Sequence, residues 1–139
     1  MMPVVVLDAN VLAPGFLGTT SVSARLIERW RQQHFALVVS EHLLAELVRT
    51  YADPYFQRRI SPDRVERVLR LLRRRAILTE LTVTVTGVAT QPKDDLVLAT
   101  GVSARASYLG TRDKQLLKLG GYRGLRIAHP ADLLDLLVE

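Results

Sequence analysis

The sequence predicts an α/β protein, a three-layer α/β/α sandwich around a mainly parallel central sheet. Three observations carry that prediction. Short, continuous apolar runs rich in β-branched residues recur along the chain, as buried parallel strands do. Segments with helical periodicity separate them, the order expected when a sheet is covered on both faces. No internal repeat, linker or low-complexity stretch interrupts the alternation, so residues 1–139 read as a single domain.

The first run, Val4-Val5-Val6-Leu7, is a buried strand that ends in Asp8, with Asn10 two residues on. The Pro14-Gly15 neighbourhood, residues 13–18, reads as a loop that is neither regular helix nor strand. Thr19, Thr20 and Ser21 offer N-caps for a helix to about Gln33, with Val22, Leu26, Ile27 and Trp30 on its apolar stripe. Residues 35–39 form a second buried strand. Ser40 then caps a helix with Leu43, Leu44, Leu47, Val48 and Tyr51 facing inward, and Glu46 beside that stripe.

Asp53-Pro54 breaks this helix, and residues 55–59 give a short helical piece. Ser61-Pro62-Asp63 is a helix start with Pro at the first position. The helix at 64–75 sets Arg64, Arg67, Arg70, Arg73 and Arg74 along one side and Val65, Val68, Leu69 and Leu72 on the other. Residues 81–86 alternate cleanly and read as an edge-like or half-buried strand. After a loop at 87–92, Lys93-Asp94-Asp95 opens a helix at 96–105, where the helix dipole favours the acids. Residues 107–110 are a brief strand, followed by Thr111-Arg112-Asp113, a helix at 114–119 and the Gly120-Gly121 stop. Residues 125–128 form a last strand, and Pro130 starts a closing helix with Leu133, Leu134, Leu136 and Leu137.

The net charge is +5, with Arg supplying most of the positive charge. Guanidinium pairs bidentately with phosphate, so the balance points toward a polyanion; an acidic protein partner or a solvated basic surface would satisfy it too. Absence of Cys excludes disulfide scaffolds, thiolate catalysis and Cys-based zinc sites, and is compatible with a reducing cytosol. No apolar run approaches a membrane span and no charged signal-peptide start is present, so the expectation is a cytoplasmic protein without a membrane partner. His34, His42 and His129 have no ligand spacing and read as surface or structural.

Three acids share one local address. Asp8 ends a strand, Asp113 follows one, and Asp95 begins a helix leaving the loop after another. In a parallel sheet those addresses lie along one edge, where ligands of open α/β folds bind, and Glu46 can lean toward them. Each has a bland explanation as a cap or a solvated helical residue. Together they carry a cost: like charges ~4 Å apart repel by about 4 kcal/mol at an effective dielectric near 20. Such a cluster needs protons or a cation, and oxygen-only ligation suits Mg²⁺ or Mn²⁺ rather than Zn²⁺. A carboxylate-bound divalent cation on a basic protein points to phosphodiester hydrolysis.

At these residues the chain resembles PIN-domain ribonucleases, most closely the VapC-like toxin components of toxin–antitoxin pairs. The resemblance lies in Val6-Leu7-Asp8-Ala9-Asn10, in Ser40 through Glu46-Leu47, in Lys93-Asp94-Asp95 through Ala99, and in Thr111-Arg112-Asp113, in that order over nearly the whole chain. It implies that Asp8, Glu46, Asp95 and Asp113 form the metal cup. Asp95 is preferred over Asp94 because Ala99 stands four residues after it, and Asp94 is placed in support. Asn10 and Thr111 would orient carboxylates or metal-bound water. Arg112 departs from the Gly that relatives often carry. With Lys93 and the arginine ridge, Arg64, Arg67, Arg70, Arg73 and Arg74, it is a candidate contact to RNA or to a partner. The resemblance further implies an RNA substrate, a cognate antitoxin and a homodimer, with the helices around 40–75 as the surface for self-association or antitoxin docking. A catalytically silent PIN-fold module that binds RNA or a partner is the alternative. A phosphoacceptor receiver domain fits poorly, since here the acidic pair comes late rather than after the first strand. A structure-specific DNA nuclease would need extra elements to thread DNA.

Overall fold

The Val-rich opening forms β1 (Val4–Leu7), and it lies at the middle of the sheet with its last three residues fully buried. The computed structural model describes residues 2–18 and 20–137. Around β1 stand β2 (Ala36–Val39), β3 (Ile77–Leu78), β4 (Tyr108–Gly110), β5 (Gly121–Tyr122) and β6 (Leu125–Ala128). They form one sheet in the order β3-β2-β1-β4-β6-β5. The first five strands of that order run parallel, and β5 turns back antiparallel to β6. Successive strand side chains point to opposite faces, so Val5 and Leu7 enter one core while Val6 enters the other.

The first core is covered by α1 (Ala9–Gly15), α2 (Val22–Arg31), α3 (Glu41–Tyr51), α5 (Pro62–Arg75) and α8 (Pro130–Leu136), with the short α4 (Pro54–Gln57) leading into α5. The second is covered by α6 (Pro92–Ser103) and by Leu116 of α7 (Lys114–Leu119), with Leu43 reaching in from α3. The predicted three-layer α/β/α architecture is the observed one. The chain leaves β1 toward β2 on one side and pairs with β4 on the other, which makes the carboxyl end of β1 the switch point of the sheet.

Four local expectations are corrected. Residues 13–15, read as the start of a loop, are the last turn of α1: Asp8 caps that helix, and Pro14 lies inside it, giving up the bond that an N–H there would make one turn back. Gly15 is there for contact. A Cβ on it would meet Ile27 Cγ1 at 2.6 Å, so its absence lets α1 pack onto α2. Residues 81–86 pair with no strand; the Thr82 and Val83 amides bond the Ser103 hydroxyl instead, and the alternation survives only as a buried Val85 and half-buried Val83. Val48 is exposed, although it falls on the stripe assigned to the core. The β5–β6 hairpin was not anticipated, whereas the Gly120 stop is present with φ +73°, a left-handed conformation suited to glycine. Ser21 provides the α2 cap by accepting from the Ala24 amide; Thr19, one of the alternatives, lies outside the described residues.

Candidate metal centre

At the switch point Asp8 and Asp113 occupy equivalent positions, each the N-cap of the helix that follows its strand. Asp8 Oδ1 accepts from the Ala9 amide at 2.8 Å, and Asp113 Oδ1 accepts from the Leu116 amide at 2.9 Å. The capping explanation is therefore true, and it uses one oxygen of each carboxylate. The other Asp8 oxygen accepts from the buried Thr111 hydroxyl at 2.8 Å. That hydroxyl accepts in turn from Asn10 Nδ2 at 3.3 Å and from the Asp113 amide at 3.0 Å, which fills its donor and acceptor capacity. Asn10 Oδ1 accepts from the Arg112 amide at 3.0 Å. Thus Asn10 and Thr111 stitch the end of β1 to the loop after β4 and hold Asp8 and Asp113 side by side.

Asp94 and Glu46 enter from helices on opposite faces of the sheet. Two bonds clamp those helices together. The Thr100 hydroxyl donates to the Leu96 carbonyl, so the 2.8 Å contact between Ser40 and Thr100 is donated by Ser40. His42 Nε2 donates to the Lys93 carbonyl at 3.0 Å. A cavity of about 110 Å³ results, lined by Asp8, Glu46, Asp94 and Asp113, with Lys93 at its edge and Thr50 on its wall. Thr50, Ser40, Thr100 and His42 were not singled out from the sequence for these positions. The only available signal was spacing, with Thr50 one helical turn after Glu46.

The two adjacent acids at the start of α6 have opposite surroundings. The Asp95 carboxylate accepts the backbone amides of Gly87 (2.9 Å), Val88 (3.2 Å) and Ala89 (2.6 Å), three consecutive N–H groups turned onto one anion. It fastens the loop before α6 and does not line the cavity. The sequence reading expected Asp95 in the cup with Asp94 in support; in this structure it is Asp94 that lines the cavity. Successive helical residues point about 100° apart, so only one of them can face the sheet edge, and it is Asp94. Asp94 is 7% exposed, and its carboxylate has no hydrogen-bond partner among the described residues.

Burial, then the charges of Asp113 and Asp8, pushes the Asp94 carboxyl up to about 6, against a smaller opposing pull from Lys93. Burial raises Asp8 as well, offset in part by its bonds from Thr111 and Ala9. Glu46 is turned to Arg49, which donates to its Oε1 from both Nε and Nη2. As the side chains stand, no group of three acidic or histidine residues among the described ones is in position to hold a metal ion. The donor set nonetheless fits a hard cation: all carboxylate oxygen, with Asp94 unpartnered and repelled by its neighbours.

The other candidate contacts divide. Lys93 stands at the cavity. Arg112 turns away from it and donates to the Ser23 hydroxyl at 3.2 Å. The arginine ridge on α5 is exposed, but part of it is spent within the molecule. Arg64 donates to the Phe16 carbonyl at 2.7 Å, Arg73 grips both Glu41 oxygens at 2.6 and 3.1 Å, and Arg70 lies 4.0 Å from Glu66. Arg67 and Arg74 make no such bond among the described residues.

A family model described as a PIN domain matches residues 4–115. No curated protein matches. Among solved structures the chain is similar to a chain of VapBC2 from Rickettsia felis, determined bound to a DNA fragment from their promoter. The two share 13% identity over 91% of this chain and 98% of that one, with a TM-score of 0.61. At that identity the likeness establishes the fold.

Proposed function

The chain belongs to the PIN-domain family, and from that premise we propose that it is a divalent-metal-dependent endoribonuclease, the toxin of a toxin–antitoxin pair. The observation that carries the reading is the cup: Asp8, Glu46, Asp94 and Asp113 come from four separate places in the chain to one cavity, in a protein of net charge +5. Two helix caps alone would not bring a third acid, Asp94, with its carboxylate unpaired and open to the same cavity.

In this reading the four acids hold Mg²⁺ or Mn²⁺. Such an ion, held there, would supply a water of lowered pKa and positive charge to offset the charge that develops on the phosphoryl group. The residues of the chain prepare that chemistry. Thr111 and Asn10 keep Asp8 and Asp113 in fixed orientations, so little reorganisation is needed when charge shifts. Asp95 fixes the loop that leads into α6, the helix from which Asp94 projects. Lys93 places a cation at the rim, where a phosphate oxygen would arrive. Arg49 is within reach of Glu46 and becomes free for phosphate when Glu46 turns into the cup.

The VapBC2 structure contains DNA from the promoter of its own genes, and that neighbour supports an antitoxin partner for this chain. Homodimerisation, with the helices at 40–75 as the surface for self-association or antitoxin docking, and action in the cytoplasm belong to the same reading. No helix among the described residues is long and apolar enough to cross a membrane.

The test is cleavage of a mixed RNA pool with Mg²⁺, with Mn²⁺ and with EDTA, using the wild type beside Asp94→Asn. Cutting that requires the metal and disappears with Asp94→Asn is expected. No cutting in either metal would turn the reading toward a silent PIN-fold binding module.

A further inference from the structure

Beside the cup runs a second, open groove of about 620 Å³ that shares Glu46, Thr50 and Lys93 with it and continues over Arg49 to Tyr55 and Phe56. Tyr55 is 49% exposed at the first turn of α4. A single exposed aromatic needs no explanation on its own. This one is held unusually firmly. Asp53 accepts its amide at 2.9 Å, and Arg59 donates to its carbonyl at 2.7 Å while its guanidinium lies 3.7 Å from the ring centre. Phe56 meets Tyr55 edge-on at 5.0 Å and meets the buried Tyr51 edge-on at 5.5 Å. A ladder of rings thus runs from the core to the surface and ends in a flat, cationic platform beside the cup.

We infer that this platform is a base-stacking subsite: a nucleotide flanking the scissile phosphate of a single-stranded RNA stacks on the Tyr55–Arg59 pair. The inference rests on the nuclease reading and adds to it which part of the substrate is held and how. Stacking on aromatic rings and guanidinium planes is how unpaired bases are bound without sequence readout, and only an unpaired base can reach such a surface. The charges agree. Arg49 and Lys93 line the path with Asp53 and Glu46, and Arg59 lies over the Tyr55 ring at its end; Asp53 is occupied as the α4 cap, and Glu46 belongs to the cup. A backbone following the groove passes the cations on its way to the carboxylates. The ring is preorganised, so little side-chain entropy is lost when a base settles on it.

The experiment compares binding of a short labelled single-stranded RNA with that of a fully abasic strand of equal length, by fluorescence anisotropy with Ca²⁺ present. The proteins are the wild type, Tyr55→Ala and Tyr55→Phe. Tyr55→Ala is expected to weaken RNA binding about tenfold, within the range for loss of one base stack, and to leave the abasic strand unaffected. Tyr55→Phe keeps the ring and should bind as the wild type does. Mn²⁺ affinity should be the same in all three. Equal loss for both strands, or no loss for either, overturns the subsite while leaving the nuclease reading intact. A wild type that binds no RNA overturns both.

Discussion

The acidic switch point and the basic face of α5 are both charge clusters, and they are built in opposite ways. In the first, carboxylates from separate elements converge on one cavity, and Asp94 is left without a partner at their centre. In the second, arginines follow one another along a single exposed helix and fan outward. Three of them are taken up by the molecule itself, Arg64 by the Phe16 carbonyl, Arg73 by Glu41 and Arg70, more loosely, by Glu66. Charges at the ends of parallel strands are forced together by the sheet, whereas charges on a helix surface are kept apart by it. Convergence concentrates unfavourable energy that a ligand can relieve; a solvated ridge stores almost none.

The sharpest way to break the comparison is to remove the centre of the cup. Asp94→Asn should lower RNA cleavage by about 1,000-fold or more, beyond the 10–100-fold that losing an outer partner of a metal ligand costs. Asp95→Ala addresses the loop anchor. Three amides lose a charged acceptor, and hydrogen bonds to charged groups are each worth about 1.5–3 kcal/mol, so thermal or urea unfolding should show a loss of ~2–3 kcal/mol after the amides rehydrate.

The same neighbouring pair shows how far the sequence could be read. The strands at residues 4–7 and 36–39 were legible because a buried parallel strand leaves a continuous apolar run, and the caps at Ser21, Ser40, Ser61 and Asp113 because a hydroxyl or carboxylate precedes each helix. That Asp8, Glu46 and Asp113 line one cavity was legible from their addresses at strand ends and beside a core stripe. Asp94 and Asp95 could not be ranked that way: both open the helix, and only the three amides at 87–89, whose arrangement depends on tertiary structure, reveal which acid is occupied. Residues 81–86 failed for a related reason. Alternation records which side chains are buried and not whether a neighbouring strand exists to complete the ladder, and here β3 ends the sheet.

Protonation provides a finer probe of convergence. The Asp94 carboxyl lies near 6 in the folded, metal-free protein, against 3.8 when unperturbed. Between those values the native state binds more protons than the unfolded state, so stability should fall as pH rises from about 4 to 6. In EDTA, Asp94→Asn should remove its share of that slope. At about 1.4 kcal/mol per tenfold change in proton affinity, discounted for solvent at the cavity mouth, it should stabilise the protein at neutral pH by ~1–2 kcal/mol. Urea titrations at pH 5 and pH 7 would show both effects. The smallest effect belongs to the ridge: Arg67→Ala and Arg74→Ala should change stability by no more than about 0.5 kcal/mol. A larger change would mean that these side chains are not merely solvated.

The measurement that bears most directly on the whole account is Mn²⁺ binding by calorimetry to the wild type, Asp94→Asn and Asp95→Asn. The account predicts that the wild type binds, that Asp94→Asn loses the ion while staying folded, and that Asp95→Asn still binds. Retention by Asp94→Asn together with loss by a folded Asp95→Asn would contradict it.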